Sequence, residues 1–387
     1  MTDKTWTDHA GNAVRTLNSG IYTDHVFTED GKEIAAVTLG SSTDGEGKIS
    51  LTLYNKEGKT THTISQPVVD GDSITTGKDT IINETAYDVN GNESAVTDGN
   101  GNVTTYTYDK AGNRTKEDDG TTQTAYTYNG LDQLQTATKE KGTAVDEVRQ
   151  YSYDANGNQT DVKNTKTGQT ESYTYDAENR LSKVSVTDKD GKTAVIQQNR
   201  YNGDGQRIQK VEGSKTTNYY YQDGVVSYTT DGENSQTSQN LIGTDGNVLA
   251  TERFQQNATQ YYLYNKDIQG STSSLVKEDG SADATYQYTD FGETIIHGDD
   301  QAKNEVCYTG GIYDQSTGLY YLNAWYYNPE DGRFVIEDTY RGETNEPDTQ
   351  HLYVYCANNP INHVDPSGHY AVALYTLVKV VAGGVVF

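Results

Sequence analysis

A short polar segment headed by tyrosine recurs through the middle of this chain, and its spacing restricts the fold more than any other feature. YDVNGNES starts at Tyr87, YDKAGNRT at Tyr108, YNGLDQLQ at Tyr128, YDANGNQT at Tyr153, YDAENRLS at Tyr175 and YNGDGQRI at Tyr201. Successive starts lie 21, 20, 25, 22 and 26 residues apart. A period in that range marks one supersecondary unit stacked on copies of itself. A leucine-rich repeat has a similar period, but its L-x-x-L-x-L ladder is missing, and propeller blades need about twice the length.

Most copies are preceded by Tyr-x-Tyr: Tyr106/Tyr108, Tyr126/Tyr128, Tyr151/Tyr153 and Tyr173/Tyr175. Residues two apart in a strand share a face, so each pair makes an aromatic stripe. The Asp, Asn and Gly that follow suit a tight turn, because they tolerate positive φ and bond their own backbone. The pattern predicts strands near 149–154, 159–165, 170–176, 181–187, 193–202, 206–212 and 216–222. No sustained helical period appears before the C-terminus. The expected fold class is all-β, an antiparallel hairpin meander with two strands per repeat.

Charge narrows the partners. The 387 residues carry a formal net charge of -26, which repels phosphates and argues against nucleic acid and anionic membranes. Such a charge often accompanies disorder. Here 32 tyrosines, with abundant Thr and Val, favour pleated sheet instead. Cys307 and Cys356 provide no disulfide framework and are expected to be two buried free thiols. The N-terminal MTDKTWTDHAGNAVRT has no apolar core of a secretory signal.

No metal or cofactor is expected. Asp154/Asn156/Asn158 imitates the first ligands of a calcium loop, and Asp98, Asn100 and Asn102 even have Asp109 at the twelfth place. Val103 stands where that loop needs glycine, however, and flanking helices are missing, so turn chemistry is the better reading. His363, Asp365 and His369 lack a second ligand cluster and do not read as a metal site.

The Y-D-x-x-G-N-R form resembles the tyrosine–aspartate (YD) repeat of rearrangement-hotspot (Rhs) and wall-associated proteins, also found in teneurins. The resemblance is clear over residues 80–225, with fainter copies from Asp8 and Thr52. Beyond residue 260 the composition changes, and four of the five prolines lie in this part. Three passages, YYLYNKDIQGSTSSLVKEDG from Tyr261, YTGGIYDQSTGLYYLNAWYYNPEDGRF from Tyr308 and LYVYCANNPINHVDPSGH from Leu352, are similar to the Rhs repeat-associated core domain. The expected organisation is degenerate YD-like repeats at 1–80, a YD-repeat meander at 81–255, the core domain at 256–369 and an apolar tail at 370–387.

The resemblance implies a curved or spiral shell segment closed by the core domain, with a toxin cargo following the D-P-x-G motif. It also implies self-cleavage by two aspartates: G-R-F-x-x-x-D places one on Asp338, with Arg333 five positions earlier, and D-P-x-G places the other on Asp365. The bond cut would join His369 to Tyr370. Two close carboxyl groups cannot both ionise cheaply, so one keeps its proton. The charged one activates water while the other polarises the peptide carbonyl. Arg333 would steady the charged partner. At most this is a single-turnover aspartyl autoprotease. The sequence departs from the family pattern at His369 (usually Leu), at Thr339 after the first aspartate (usually Pro) and at Trp325 (usually Arg). Read without the resemblance, Asp365-Pro366-Ser367-Gly368 is an ordinary turn.

The last 18 residues, YAVALYTLVKVVAGGVVF, are too few for a toxin domain and are expected to be the stump of a cargo. A segment lining the shell is the next reading, and Lys379 and Gly383-Gly384 put a membrane span last. The resemblance places the protein outside the cell or at its surface, with the missing N-terminal shell and C-terminal cargo as partners. The alternatives are a non-enzymatic adhesive module, its tyrosines stacking on carbohydrate or cell-surface proteins, and an inactive Rhs fragment.

Overall fold

The computed structural model describes residues 4–7, 12–18, 21–27, 33–39, 50–70, 73–243, 246–255, 258–267, 269–338, 351–365, 368 and 371–373. They form two compact units. The first contains the described residues of Met1–Thr107 with Lys116–Gln123 and Ala373; the second contains Tyr108–Thr115 and Thr124–Val372.

Both units are antiparallel meanders, and no α-helix occurs among the described residues. In the first, consecutive strands pair in order from Lys4–Thr7 to Ser50–Tyr54 and Thr60–Ser65, which then pairs with Ile81–Tyr87. A small separate hairpin, Val68–Asp70 with Ser73–Thr75, fills that gap in sequence. In the second unit every strand from Leu134–Lys141 to Thr294–Gly298 pairs with the next. The predicted strands are present, as Gln159–Asn164, Thr170–Tyr175, Leu181–Thr187 and their neighbours. Ala144–Tyr153 begins five residues before the predicted 149, because Val145 and Glu147 continue the ladder opposite Glu140 and Lys139.

The repeat has three working parts. The first is the aspartate. Asp154 Oδ1 accepts the backbone N–H groups of Asn156 and Asn158, both at 2.9 Å, and closes the turn. Gly157 follows at φ +81°, a conformation that a Cβ would strain. Asp88, Asp109, Asp176 and Asp267 hold their turns in the same way. These carboxylates are occupied by their own backbone, which is the physical content of the D-x-N-x-N pattern.

The second part is a bulge just after the turn. Ser152 pairs with Asp161 but Tyr153 with Gln159, leaving Thr160 unmatched, and the same slip leaves Ser182 and Ile208 unmatched in the next two repeats. A bulge interrupts the ladder and needs another hydrogen-bond partner. The third part provides it. The second tyrosine of one repeat donates its hydroxyl to the carbonyl at the bulge before it: Tyr175 to Gln159 at 2.6 Å, Tyr201 to Leu181 at 2.6 Å and Tyr221 to Arg207 at 2.8 Å. Tyr87 to Thr60 at 2.5 Å repeats the bond in the first unit. The tyrosines therefore pack the core and also hold successive hairpins in register.

From Asp299 onward the chain of the second unit leaves the meander and lies across its tyrosine face as a cap. A four-stranded sheet, Ile312–Asp314, Leu319–Leu322, Trp325–Asn328 and Arg333–Phe334, forms its centre. Leu319 to Leu322, Tyr326 and Tyr327 share one apolar core with wall residues Leu181, Val184, Leu275 and Tyr286. Each large apolar side chain so buried contributes roughly 1.5–3 kcal/mol. Cap tyrosines also bond wall turns, Tyr327 to the Phe291 carbonyl at 2.6 Å and Tyr353 to that of Gly157 at 2.8 Å. Cys307 and Cys356 are buried free thiols within this core.

Candidate functional site

The cap brings the candidate residues onto one layer but gives them different tasks. Arg333 follows Gly332, which turns the chain at φ +67° and lets the arginine run inward. It is buried, with its guanidinium 4.8 Å from the Tyr128 ring centre and 5.1 Å from that of Tyr353. Its Nη2 donates to the Asp132 carbonyl. No ion pair joins it to Asp338 or Asp365 among the described residues. Arg333 thus fastens the cap to a wall turn.

Asp338 is half-buried and its N–H donates to the Leu352 carbonyl at 2.8 Å. Asp365 is only 2% exposed, and its Oδ1 accepts the Gly368 N–H at 2.7 Å. Gly368, at φ +80°, sits against the turn between Leu322 and Trp325, where a Cβ would come within 2.9 Å of the Leu322 carbonyl. Gly368, and through its N–H the Asp365 carboxyl, is therefore held on the cap's own hairpin. Thr339, Pro366, Ser367, His369 and Tyr370, including the expected scissile bond, lie outside the described residues.

The segment 351–355 connects these groups. Phe334 N–H bonds the Tyr353 carbonyl at 2.8 Å, and Arg333 bridges Val354. Burial pushes the Tyr355 hydroxyl well above its usual range, with the Asp365 charge as a lesser contribution. His351 is half-buried beside Arg333, and desolvation first, then that charge, lower its pKa to about 3. It is the neutral imidazole: Nδ1 accepts the Tyr353 N–H at 3.2 Å and Nε2–H donates to Asn113 Oδ1 at 2.7 Å.

The sequence reading missed the most deeply buried charges. Arg207 and Asp314 are both fully buried and form an ion pair. Lys210 Nζ lies 3.0 Å from Asp314 and 2.9 Å from Glu305, while Gln197 donates to Asp314 at 2.8 Å. Burial alone would raise the Asp314 carboxyl, but Arg207 and Lys210 hold it at about 2. Asp314 heads the D-x-x-T-G-L-Y-Y passage and Arg207 ends Y-N-G-D-G-Q-R, so both stood inside quoted motifs. Nothing in one sequence pairs residues 107 positions apart. Among the described residues, no three His, Cys, Asp or Glu side chains are grouped to hold a metal.

A repeat closed by Asp, bulged after its turn and locked by tyrosine hydroxyls, under a cap carrying D-P-x-G, defines a YD-type shell protein. Residues 45–361 match the family model described as the teneurin YD-shell, and the chain belongs to that family. Asp365 lies just beyond the matched stretch. The tRNA3(Ser)-specific nuclease WapA of Bacillus spizizenii is 34% identical over 279 residues, covering 70% of this chain and 11% of that protein. The double-stranded DNA deaminase toxin A of Burkholderia cenocepacia is 25% identical over 284 residues, covering 70% of this chain and 17% of that protein. The crystal structure of TcdB2-TccC3 aligns with 95% of this chain and 28% of its own, at 14% identity and a TM-score of 0.36. The chain spans about a tenth of the length of the first curated relatives it matches.

Proposed function

We propose that this chain is the C-terminal part of an Rhs-type toxin shell whose cap performs one aspartyl self-cleavage. Its partners are then the rest of the shell wall and a toxin cargo, and its place is outside the cell or at its surface. The observation that carries the reading is Asp365, buried and bonded to the Gly368 N–H, within a cap that packs on a YD wall. The relatives named as nucleases and toxins support the same reading.

In the proposed step, the ionised aspartate of the pair Asp338/Asp365 takes a proton from water as its oxygen attacks the His369 carbonyl carbon. The protonated aspartate hydrogen-bonds the carbonyl oxygen. Collapse breaks the C–N bond, a proton passes to the departing nitrogen, and the products are a His369 carboxylate and a Tyr370 amine. The arrangement of Arg333 supports a holding part for this residue, since a displaced cap would carry Asp338 with it.

Intact mass of the purified chain tests this. Release of residues 370–387, abolished by Asp338→Asn and by Asp365→Asn with the circular dichroism spectrum unchanged, is the expected result. Acid hydrolysis at Asp365–Pro366 gives fragments differing by the four residues 366–369 and is unaffected by Asp338→Asn. Full-length protein after days at neutral pH would overturn the cleavage.

A further inference from the structure

The face of the wall opposite the tyrosines carries a groove of about 290 Å³ in the second unit. Thr174, Ser182, Lys183, Gln198, Arg200 and Gln209 line it. The register explains how they meet. Thr174, Lys183, Gln198 and Val211 form one cross-strand row, and Arg200 stands opposite Gln209 in the next. The unmatched Ser182 and Ile208 bracket the groove, and bulges of this kind re-aim side chains. Opposed and diagonal neighbours in a sheet lie about 5–8 Å apart, so Lys183 and Arg200 can reach one small ligand together.

Neither Lys183 nor Arg200 has an ion pair or hydrogen bond among the described residues, and the Gln198 amide has none either. Some wall cations are matched, Arg180 by Asp176 at 2.7 Å, Lys166 by Asp146 at 2.6 Å and Lys210 by Asp314. Others such as Lys163 and Lys192 have no ion pair among the described residues; Lys183 and Arg200 differ from these in lining one groove together. The arginine is also out of pattern. At its position, just before the second tyrosine, other repeats place Thr107, Thr127, Ser152 and Thr174. Two cations without a counter-charge in one groove, on a chain of net charge -26, offer a place for a small anion.

We propose that this groove binds a small hydroxylated oxyanion, a sugar acid or a polyol phosphate. Lys183 and Arg200 grip the oxyanion, the guanidinium in forked geometry. The Thr174 hydroxyl and the Gln198 amide take the ligand's hydroxyls, while Ser182, which donates to the Thr174 carbonyl at 2.9 Å, and Gln209, whose Nε2 donates to Asn218 at 2.8 Å, offer their oxygens as acceptors. The volume leaves room for one sugar ring, and the net charge of -26 repels long polyphosphates. This inference is independent of the self-cleavage.

Calorimetric titration of the full chain with glucuronate, glycerol 1-phosphate, glucose and inorganic phosphate, at low salt, tests it. Millimolar binding of glucuronate or of glycerol 1-phosphate, at least tenfold tighter than glucose and inorganic phosphate, is expected; whichever of the two binds identifies the source. The double variant Lys183→Gln/Arg200→Gln should lose at least tenfold, and Lys139→Gln, outside the groove, should lose nothing. The proposal is overturned if neither probe exceeds glucose, if inorganic phosphate equals both, or if the folded double variant binds as well as the parent chain.

Discussion

Single residues in this protein are constrained by what presses on them. Gly157 and Gly191 share nearly the same backbone, φ +81° and +82°. A Cβ on Gly191 would meet open space, whereas one on Gly157 would come within 2.3 Å of Glu337 Oε2 and 2.8 Å of the Tyr353 hydroxyl. Gly191→Ala should therefore cost only the strain of positive φ, about 1 kcal/mol, and Gly157→Ala about 1–2 kcal/mol more. Urea midpoints of the two variants check the difference. His351 makes a second prediction. Its pKa is near 6.5 unfolded and about 3 folded, so between those values the unfolded chain binds the extra proton. Stability then falls as the pH drops from about 6.5 toward 3, by about 1.4 kcal/mol per unit. Denaturant unfolding at pH 7 and pH 5 should show about 2 kcal/mol lost to this group, and His351→Gln should remove that part of the loss. Neither constraint could be read from the sequence, because the partners come from the cap and the glycines look alike along the chain.

At the scale of the strand and hairpin, much more was legible. Tyr-x-Tyr followed by Asp and Gly fixes where strands end, because side-chain period and turn chemistry are local properties. The bulge was not legible, since it shows only when two strands are laid side by side. It changes what the second tyrosine is for. Tyr175→Phe keeps the ring but leaves the Gln159 carbonyl without its 2.6 Å partner. The expected loss is about 1–3 kcal/mol, against a few tenths for Tyr220→Phe on the exposed face, by thermal or urea unfolding. Equal losses would show that the hydroxyl adds nothing beyond the ring.

Across the second unit as a whole, the cap is held by charges that the wall buries for it. Asp314 keeps stability that is present above its ordinary pKa of 3.8 and is lost as the pH falls through about 2, below the range in which His351 acts. Removing its charge by Asp314→Asn leaves Arg207 buried without its counter-charge and Lys210 with Glu305 and Glu212 alone, with an expected cost of about 3–5 kcal/mol and a cap that detaches before the wall unfolds. Protease cleavage within residues 299–338 ahead of the wall would report that order. The D-P-x-G motif was legible because it is contiguous; the anchors were not, because Arg207 and Asp314 belong to different parts of the chain.

The hydroxyl bonds between hairpins also bear on how such a gene can change length. Loss of one or two codons in a strand would move a tyrosine off its bulge carbonyl, whereas removal of one whole period, such as the 21 residues 87–107, would bring Tyr108 to the place from which Tyr87 bonds the Thr60 carbonyl. Recombination between copies is therefore tolerated in whole repeats only. Under the cap even that freedom ends, because Tyr353 requires Gly157, Asp314 requires Arg207 and Tyr327 requires Phe291 at their own places in the count. Copy number is thus free to drift in wall that lies upstream and frozen beneath the cap.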